Sequence, residues 1–147
     1  MSAEGQVDAA AFLAMGREVL ARQPFSVLLR AELTALSRGH CELAVPLQAT
    51  LLQQDGFAHG GVLSYLADNA LTYAGGTALG VPVVTSEFKI NYLRPAVGDR
   101  LEARADAVHV GRSQAVCRCD VYAVRGGEAK HCAIAQGTIT RLGEEGA

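Results

Sequence analysis

The chain has 147 residues and a formal net charge of −2, and 50% of its residues are apolar. A length in this range is typical of one domain with its own core, and the apolar fraction is too high for a disordered protein. The balanced charge and the low aromatic content (5%) argue against a nucleic-acid-binding protein. We therefore expect a single domain over residues 1–147 that does not bind nucleic acid.

The N-terminal segment lacks the basic start of a secretory signal, and glycine and proline interrupt the longest charge-free stretch, residues 69–86. These features predict a cytoplasmic protein that does not cross a membrane. The four cysteines, Cys41, Cys117, Cys119 and Cys132, have the spacing of neither a zinc motif nor a small disulfide scaffold. We expect them to be reduced core residues, and we expect no metal site.

The first predicted element is an amphipathic helix over residues 8–22, where apolar side chains recur at steps of three and four. Asp8 is its expected N-cap and Pro24 closes it. Residues 1–24 therefore form an N-terminal helical extension, which we expect to lie over an end or an edge of the sheet and to carry no chemistry.

Two strands are predicted next, over residues 25–36 and 41–47, with Gly39 in the turn between them. Residues 48–60 have no clean period and predict a loop. Residues 61–79 are the least charged segment of the chain and predict a buried helix of about five turns.

Four strand-like runs follow the buried helix, and turns that contain glycine separate them. The runs cover residues 83–93, 100–110, 113–125 and 129–141. Consecutive runs are expected to pair as antiparallel hairpins. The order of elements predicts an α+β domain in which a long antiparallel sheet carries one central helix on its concave side.

The loop that enters the buried helix ends in His59, Gly60 and Gly61. Glycine lets a ligand approach the backbone closely, and the first N–H groups of a helix have no partner within the helix. A carbonyl oxygen that gains negative charge would be stabilised there, as in an oxyanion hole. His59 is expected to orient the loop or to donate a hydrogen bond, and Gln53 supplies an amide in the same loop.

Asp68 is the only charged residue on the buried helix. A buried carboxylate is costly, so it is either a tether to the backbone, to Tyr65 or to Tyr73, or part of a functional site. Gly61 and Asp68 lie about 10 Å apart along the helix axis, too far for both to contact one carbonyl group. If both act on one carbon, two antiparallel copies of the helix must face each other, which predicts a homodimer with composite sites.

Three motifs carry a family resemblance. The first is QxxGxxHGG over residues 53–61, followed by Asp68-Asn69-Ala70. The second is VTSEFKINYLRPA over residues 84–96, and the third is HVGRS over residues 109–113. With them, residues 43–142 resemble the hotdog-fold acyl-CoA thioesterases of the phenylacetate-pathway (PaaI-like) type. The resemblance implies a long helix wrapped by a six-stranded antiparallel sheet, dimers that pair their sheets edge to edge, and often a homotetramer.

The resemblance also implies hydrolysis of an acyl- or aryl-CoA thioester without a metal or a redox cofactor. By position, Gly61 N–H would polarise the thioester carbonyl, and Asp68 of the partner would be the nucleophile or the general base for water. Gln53 would help to position the water or the carbonyl, His59 would hold the loop, and the Thr85 hydroxyl would assist.

Coenzyme A itself is expected to bind to a second group of residues. The turn that meets the nucleotide end in the family matches Gly111, Arg112 and Ser113. Arg94 is either a solvated residue at a strand end or a contact to a phosphate of coenzyme A. His109 and Arg112 are likewise either solvated or in contact with a phosphate. The complete predicted set is Gly60, Asn91, Arg94, Gly111, Arg112 and Ser113.

Two other functions stay open at this point. One is a hydratase for enoyl-CoA on the same fold. Hydratases of this fold typically pair an Asp with a His on one loop before a helix, whereas here the His-Gly-Gly motif comes first and the acid lies two turns into the helix. The other is a non-catalytic protein that binds acyl-CoA, with Asp68 as a structural tether. Hydration without release of a thiol would indicate the first, and binding without either reaction would indicate the second.

Overall fold

The elements follow the predicted order of helix, two strands, helix and four strands, with one short helix added. The structure, a computed structural model, describes residues 3–143. The first half contains α1 (Ala3–Ala21), α2 (Pro24–Leu28), β1 (Glu32–Ser37), β2 (His40–Pro46), a 3-10 turn (Ala49–Leu51) and the long helix α3 (Gly60–Leu79). The second half contains β3 (Val83–Tyr92), β4 (Arg100–Val110), β5 (Gln114–Arg125) and β6 (Glu128–Arg141).

The six strands form one antiparallel sheet in the order β1-β2-β4-β5-β6-β3, and α3 lies against all of its strands. The predicted α+β architecture of a central helix and a six-stranded antiparallel sheet is confirmed. Because the sheet surrounds α3, apolar residues cover most sides of that helix. Its fully buried members are Leu66, Ala67, Ala70, Leu71 and Ala74.

The helix approaches the sheet closely at Gly75. A Cβ atom at this position would lie 2.5 Å from Cβ of Ile139 on β6, a separation that real side chains do not reach. Glycine is a poor residue for a helix interior, so its presence here reflects the close approach of helix and strand. The helix ends at Gly80, which has a positive φ of 71° and donates its N–H to Gly76 O.

The expected hairpin between β3 and β4 is wrong. β3 pairs with β6 at the edge of the sheet, whereas β4 pairs with β2 and β5. Residues 93–99 instead cross from the edge towards the centre, where Asp99 N–H donates to Val124 O at 2.7 Å. A Cβ atom on Gly98 would collide with the backbone of Val124, so this glycine permits a close backbone approach instead of a tight turn.

The expected long strand over residues 25–36 is also wrong. Pro24 does not only end the first helix; it opens α2, because proline is favoured at the first position of a helix. The backbone then turns at Arg30, which has a positive φ of 56°, and β1 begins only at Glu32. Asp8 lies inside α1 and is not its N-cap, since that helix begins at Ala3.

Helix α1 lies over β1, which is an edge strand, as expected for the N-terminal extension. Gly16 makes the contact: a Cβ atom there would lie 2.5 Å from Leu36 Cδ2 and 2.8 Å from Leu33 Cδ2. Tyr73 of α3 donates its hydroxyl to Gly16 O at 2.8 Å. The extension is therefore fixed to both the sheet edge and the central helix.

All four cysteines are free thiols in the core, as predicted. Burial raises the pKa of Cys117 to about 11 and that of Cys132 to about 11, so both are protonated at neutral pH. Among residues 3–143, no three His, Cys, Asp or Glu side chains stand close enough to hold a metal ion. In the same part of the chain, no helix combines the length and the apolar character that crossing a bilayer demands.

Candidate active site

Asp68 is half-buried on α3 and is held by a hydroxyl from the neighbouring strand. Thr85 Oγ1 donates to Asp68 Oδ1 at 2.6 Å. Thr72, one turn further along α3, has its Oγ1 2.9 Å from Thr85 Oγ1 and donates to the main-chain carbonyl of Asp68 at 2.8 Å. Within residues 3–143, Asp68 Oδ2 accepts no hydrogen bond. The carboxylate is thus oriented through one oxygen while the other is available.

The tether that was considered for Asp68 is not the one that forms. Tyr65 donates its hydroxyl to Ser26 Oγ at 2.6 Å, and Tyr73 donates to Gly16 O. Neither tyrosine contacts the carboxylate. Thr85 is the residue that does, at the start of the strand after the helix, where the family resemblance implied an assisting hydroxyl.

The start of α3 is capped by its own histidine. His59 is the N-cap residue, and its Nδ1 accepts a hydrogen bond from Gly61 N–H at 2.8 Å. In the neutral ring the proton therefore lies on Nε2. Gly61 N–H, the predicted donor to the substrate carbonyl, is occupied in this structure. Gly60 N–H meets no acceptor within the described residues, and Gly60 O accepts from the Tyr92 hydroxyl at 2.9 Å.

Gln53 builds the loop that leads to this helix. Its side-chain Oε1 accepts from Asp55 N–H at 2.5 Å and from Phe57 N–H at 3.2 Å. Its backbone N–H donates to Phe57 O at 2.8 Å. The side-chain oxygen is therefore used within the loop. The Nε2 amide group is what remains for a water molecule or a ligand.

The predicted catalytic residues fall into two groups within one chain. Asp68 and Thr85 are in contact, and His59 is in contact with Gly61. The two groups are separated by two turns of α3, about 10 Å. A cavity of about 460 Å³ opens beside the second group; Gln53, Gly60, Tyr92 and Arg94 are among the residues that line it.

The residues predicted to bind coenzyme A do not form one site in a single chain. The turn of Gly111, Arg112 and Ser113 is exposed and follows the end of β4. It lies at the same end of the sheet as Thr85, because Thr85 pairs with Ile139 and Ile139 pairs with Ala115, which comes shortly after the turn. Arg94 follows the opposite end of β3.

Arg94 and Asn91 have different surroundings from that turn. Arg94 lines both the cavity beside Gly60 and a second one of about 510 Å³, which Arg125 and Lys130 also line. Asn91 lines a separate cavity of about 270 Å³ together with Lys89. Of Arg94 and Asn91, only Arg94 lines a cavity that Gly60, next to His59, also lines.

Sequence reasoning missed the role of three further groups. Thr72 was recognisable only as a polar residue four positions after Asp68. Tyr92 lies within the second motif, but nothing in the sequence indicated that its hydroxyl reaches Gly60 O. His40, which belongs to none of the sequence motifs, lies 2.7 Å from Asp106 and 3.1 Å from Glu42, whereas His109 is exposed.

Comparison with known proteins agrees with this architecture. The sequence profile of the thioesterase superfamily matches residues 55–130. The acyl-coenzyme A thioesterase PaaI of Escherichia coli is 29% identical over 116 residues, which cover 78% of this chain and 80% of that protein.

Two solved structures extend the agreement to three dimensions. A thioesterase family protein from Silicibacter pomeroyi is 38% identical with a TM-score of 0.81, over 86% of this chain and 96% of that one. A mutant of the phenylacetic acid degradation protein PaaI from Thermus thermophilus is 36% identical with a TM-score of 0.72, over 82% of this chain and 100% of that one. The chain belongs to the thioesterase superfamily, as a hotdog-fold thioesterase of the PaaI-like type.

Proposed function

We propose that the chain hydrolyses acyl- or aryl-CoA thioesters to the free acid and coenzyme A, at composite sites formed between two copies of the chain. The observation that carries the proposal is Asp68, a carboxylate oriented by Thr85 through one oxygen and open at the other. The similarity to the PaaI thioesterase of Escherichia coli supports the choice of an acyl-CoA ester.

Asp68 acts on the thioester carbonyl in one of two balanced ways. As a nucleophile, its Oδ2 bonds to the carbonyl carbon, the C–S bond breaks and the thiolate of coenzyme A leaves; water then hydrolyses the mixed anhydride. As a general base, it takes a proton from the water that attacks the same carbon; the C–S bond then breaks, and coenzyme A leaves as the thiol once its sulfur has received that proton. The hydrogen bond from Thr85 orients the carboxylate in both routes. Neither route uses a metal or a redox cofactor.

The carbonyl oxygen is assigned to the start of α3 in the other copy. With Gly61 N–H bound to His59 Nδ1, the N–H that remains for the oxyanion is that of Gly60, while Gly61 and His59 hold the turn. The Gln53 Nε2 group is suited to a water molecule or to the carbonyl, because its Oε1 is already used within the loop.

A two-fold axis between antiparallel copies of α3 would bring Asp68 of one chain to Gly60 of the other. Strand β3 supports this homodimer because it is an edge strand of ten residues, and its outer N–H and C=O groups are free to pair with a second copy. Apolar side chains are exposed at the same edge, at Val84 and Leu93. A homotetramer would be a pair of such dimers.

Coenzyme A would then contact two chains. Arg94 lies beside the loop of the chain that holds the carbonyl, and the turn of Gly111, Arg112 and Ser113 lies on the Thr85 side of the chain that supplies the acid. Asn91 is the least favoured member of the predicted set, since it lines a separate cavity with Lys89.

The test is a thiol-release assay with a panel of acyl- and aryl-CoA esters. We expect release of free coenzyme A, and a fall of about 10²–10⁴-fold in kcat for Asp68→Asn. The control is Asp8→Asn, at an exposed position on α1. Unchanged turnover in Asp68→Asn would reject the assignment of the acid. Hydration of an enoyl-CoA, or binding of the esters without release of a thiol, would reject hydrolysis itself.

A further inference from the structure

Tyr92 is an exposed tyrosine whose hydroxyl contacts the start of the long helix. It is the last residue of β3 and is 53% exposed, yet its hydroxyl donates to Gly60 O at 2.9 Å. A buried tyrosine needs a hydrogen-bond partner for its hydroxyl, whereas an exposed one can use water. Burial therefore does not account for this contact, and its effect on Gly60 is the feature to explain.

The carbonyl that Tyr92 contacts belongs to the peptide group between Gly60 and Gly61. The N–H of the same peptide donates to His59 Nδ1 at 2.8 Å. The peptide is thus held at both ends, by a hydroxyl at its oxygen and by an imidazole at its nitrogen. Glycine has more backbone freedom than any other residue, so two successive glycines keep one conformation only where the surroundings hold them.

The ring of Tyr92 also packs against Gly60. A Cβ atom on Gly60 would lie 3.3 Å from both Cζ and Oη of Tyr92, closer than most side chains approach each other. The same ring lines the cavity beside Gly60, together with Gln53 and Arg94. Gly60, whose N–H is assigned to the oxyanion, is therefore restrained by the hydroxyl at its carbonyl and by the ring beside its Cα.

Strand β3 reaches both reacting groups because it contains a β-bulge. Thr85 and Tyr92 are seven positions apart, and residues an odd number apart in a regular strand point to opposite faces. The pairing of β3 with β6 shifts between Thr85 and Glu87, so one extra residue on β3 brings Thr85 to the face of Tyr92. One face of β3 thus contacts Asp68 at its start and Gly60 at its end.

The two contacts would meet in the proposed homodimer. Antiparallel pairing of β3 with a second copy places the start of one strand beside the end of the other. Thr85 of one chain, which holds the acid, would then lie near Tyr92 of the other chain, which holds the carbonyl-binding turn. The paired strands would position the groups on both sides of the thioester.

We propose that Tyr92 is a positioning residue for the reaction: its hydroxyl and ring fix the Gly60–Gly61 peptide, so that Gly60 N–H is directed at the carbonyl oxygen of the thioester. The proposal rests on the proposed function, because the residue that Tyr92 holds is the assigned oxyanion donor. A donor that is oriented in advance stabilises the developing charge without reorganisation. Loss of the hydroxyl should therefore lower kcat more than it raises KM.

Tyr92→Phe keeps the ring and removes only the hydroxyl. Thiol release from the panel ester with the highest kcat/KM should show a fall of about 3–10-fold in kcat, with KM within about twofold of wild type. The matched control is Tyr122→Phe, at a tyrosine of β5 that stacks on His131 with 5.0 Å between the ring centroids. Its kcat should stay within about twofold of wild type, and the Tm of each variant shows that it folds.

Two analogues that cannot be hydrolysed separate positioning from a merely structural role. Phenacyl-CoA carries a ketone one methylene away from the sulfur, and phenethyl-CoA has a methylene in place of that ketone. Wild type should bind phenacyl-CoA more tightly, because only its carbonyl can accept from Gly60 N–H. Tyr92→Phe should raise the Kd of phenacyl-CoA about threefold and leave that of phenethyl-CoA within about 1.5-fold.

Three results would overturn the proposal while hydrolysis stands. They are an unchanged kcat in Tyr92→Phe, an equal loss of kcat in Tyr122→Phe, and an equal rise of both Kd values in Tyr92→Phe. If no ester is hydrolysed, the proposed function fails and the analogues alone decide. Selective weakening of phenacyl-CoA by Tyr92→Phe would then still support the carbonyl-positioning role, whereas equal Kd values of the two analogues in wild type, or binding of neither, would overturn it as well.

Discussion

Thr85 and Asp68 are joined by a hydrogen bond of 2.6 Å that links the start of β3 to the middle of α3. The bond orients the carboxylate that acts on the thioester carbonyl in the proposed mechanism. A hydroxyl donor to an ionised acid is among the stronger hydrogen bonds of a protein. This contact therefore offers the most local test of the site.

Thr85→Val keeps the shape of the side chain and removes the donor. Hydrogen bonds to charged groups contribute about 1.5–3 kcal/mol, so kcat should fall by about 10–100-fold, while Thr85→Ser should retain most of the activity. Steady-state kinetics on one acyl-CoA ester measure the effect.

The matched control for Thr85→Val is Thr138→Val. Thr138 also donates to a carboxylate, Glu87 Oε1, at 2.6 Å, but this pair is exposed and belongs to the pairing of β3 with β6. Its kcat should stay within about twofold of wild type. Equal losses in Thr85→Val and Thr138→Val would mean that Thr85 has no special part in the site.

His59 is predicted to act by capping α3. His59→Ala removes the acceptor for Gly61 N–H and should lower the free energy of unfolding by about 1 kcal/mol, whereas asparagine is a good N-cap and should restore most of that loss in His59→Asn. Thermal unfolding and kcat are measured on both variants. If kcat of His59→Asn is as low as that of His59→Ala although its stability is restored, the imidazole acts on the substrate and not only on the loop.

Gly98 lies where residues 93–99 approach the backbone of β5 closely. Gly98→Ala should destabilise the fold by about 1–3 kcal/mol, because the new Cβ would collide with the backbone of Val124, which cannot move as a side chain can. Gly143→Ala is the control: no atom lies within 4 Å of the added Cβ. Denaturant unfolding compares the two. A loss below about 0.5 kcal/mol in Gly98→Ala would contradict the close approach of residues 93–99 to β5.

Gly98 also shows why the pairing of β3 could not be predicted from the sequence. The long helix α3 and strands β4, β5 and β6 have sustained periodicity, and their predicted bounds lie within a few residues of those in the structure. A glycine between two strand-like runs, however, is equally consistent with a tight turn and with a close backbone approach. Periodicity describes one element at a time, so it could not identify β6 as the partner of β3.

The site was predictable to a similar depth. Residue types and spacing identified Asp68, His59 and the separation of Gly61 from Asp68 along one helix. The occupation of Gly61 N–H by the histidine beside it depends on a side-chain rotamer, and the contact of Tyr92 with Gly60 depends on the crossing of distant elements. Such contacts arise from tertiary structure and leave no pattern in the sequence.

His40 gives a prediction for pH. Partial burial lowers the pKa of this imidazole, but hydrogen bonds to Asp106 and Glu42 outweigh that effect, and the net pKa is above its usual value. A histidine with a raised folded-state pKa contributes stability that is fully present below the unfolded pKa, near 6.5, and is lost as pH rises through the folded value.

Asp106→Asn should therefore lower stability more at pH 5.5 than at pH 9. The pair is partly exposed, so the loss should be only about 0.5 kcal/mol. Urea unfolding at the two pH values measures it. An equal loss at both pH values would mean that the charge of His40 does not contribute to folding.

The composite site is tested most directly by mixing two inactive variants. Gly60→Pro removes the N–H assigned to the oxyanion, and proline suits this position because Gly60 is the first residue of α3 and His59 before it is extended. Asp68→Asn removes the acid. In a mixed dimer one site holds both substitutions and the other holds neither.

After subunit exchange, which labelled chains can demonstrate, half of the dimers are mixed, and thiol release should return to about a quarter of the wild-type activity per chain. The double variant Gly60→Pro/Asp68→Asn, mixed with either single variant, should restore none. Activity that stays at the level of the separate variants, with exchange demonstrated, would contradict a site shared between two chains.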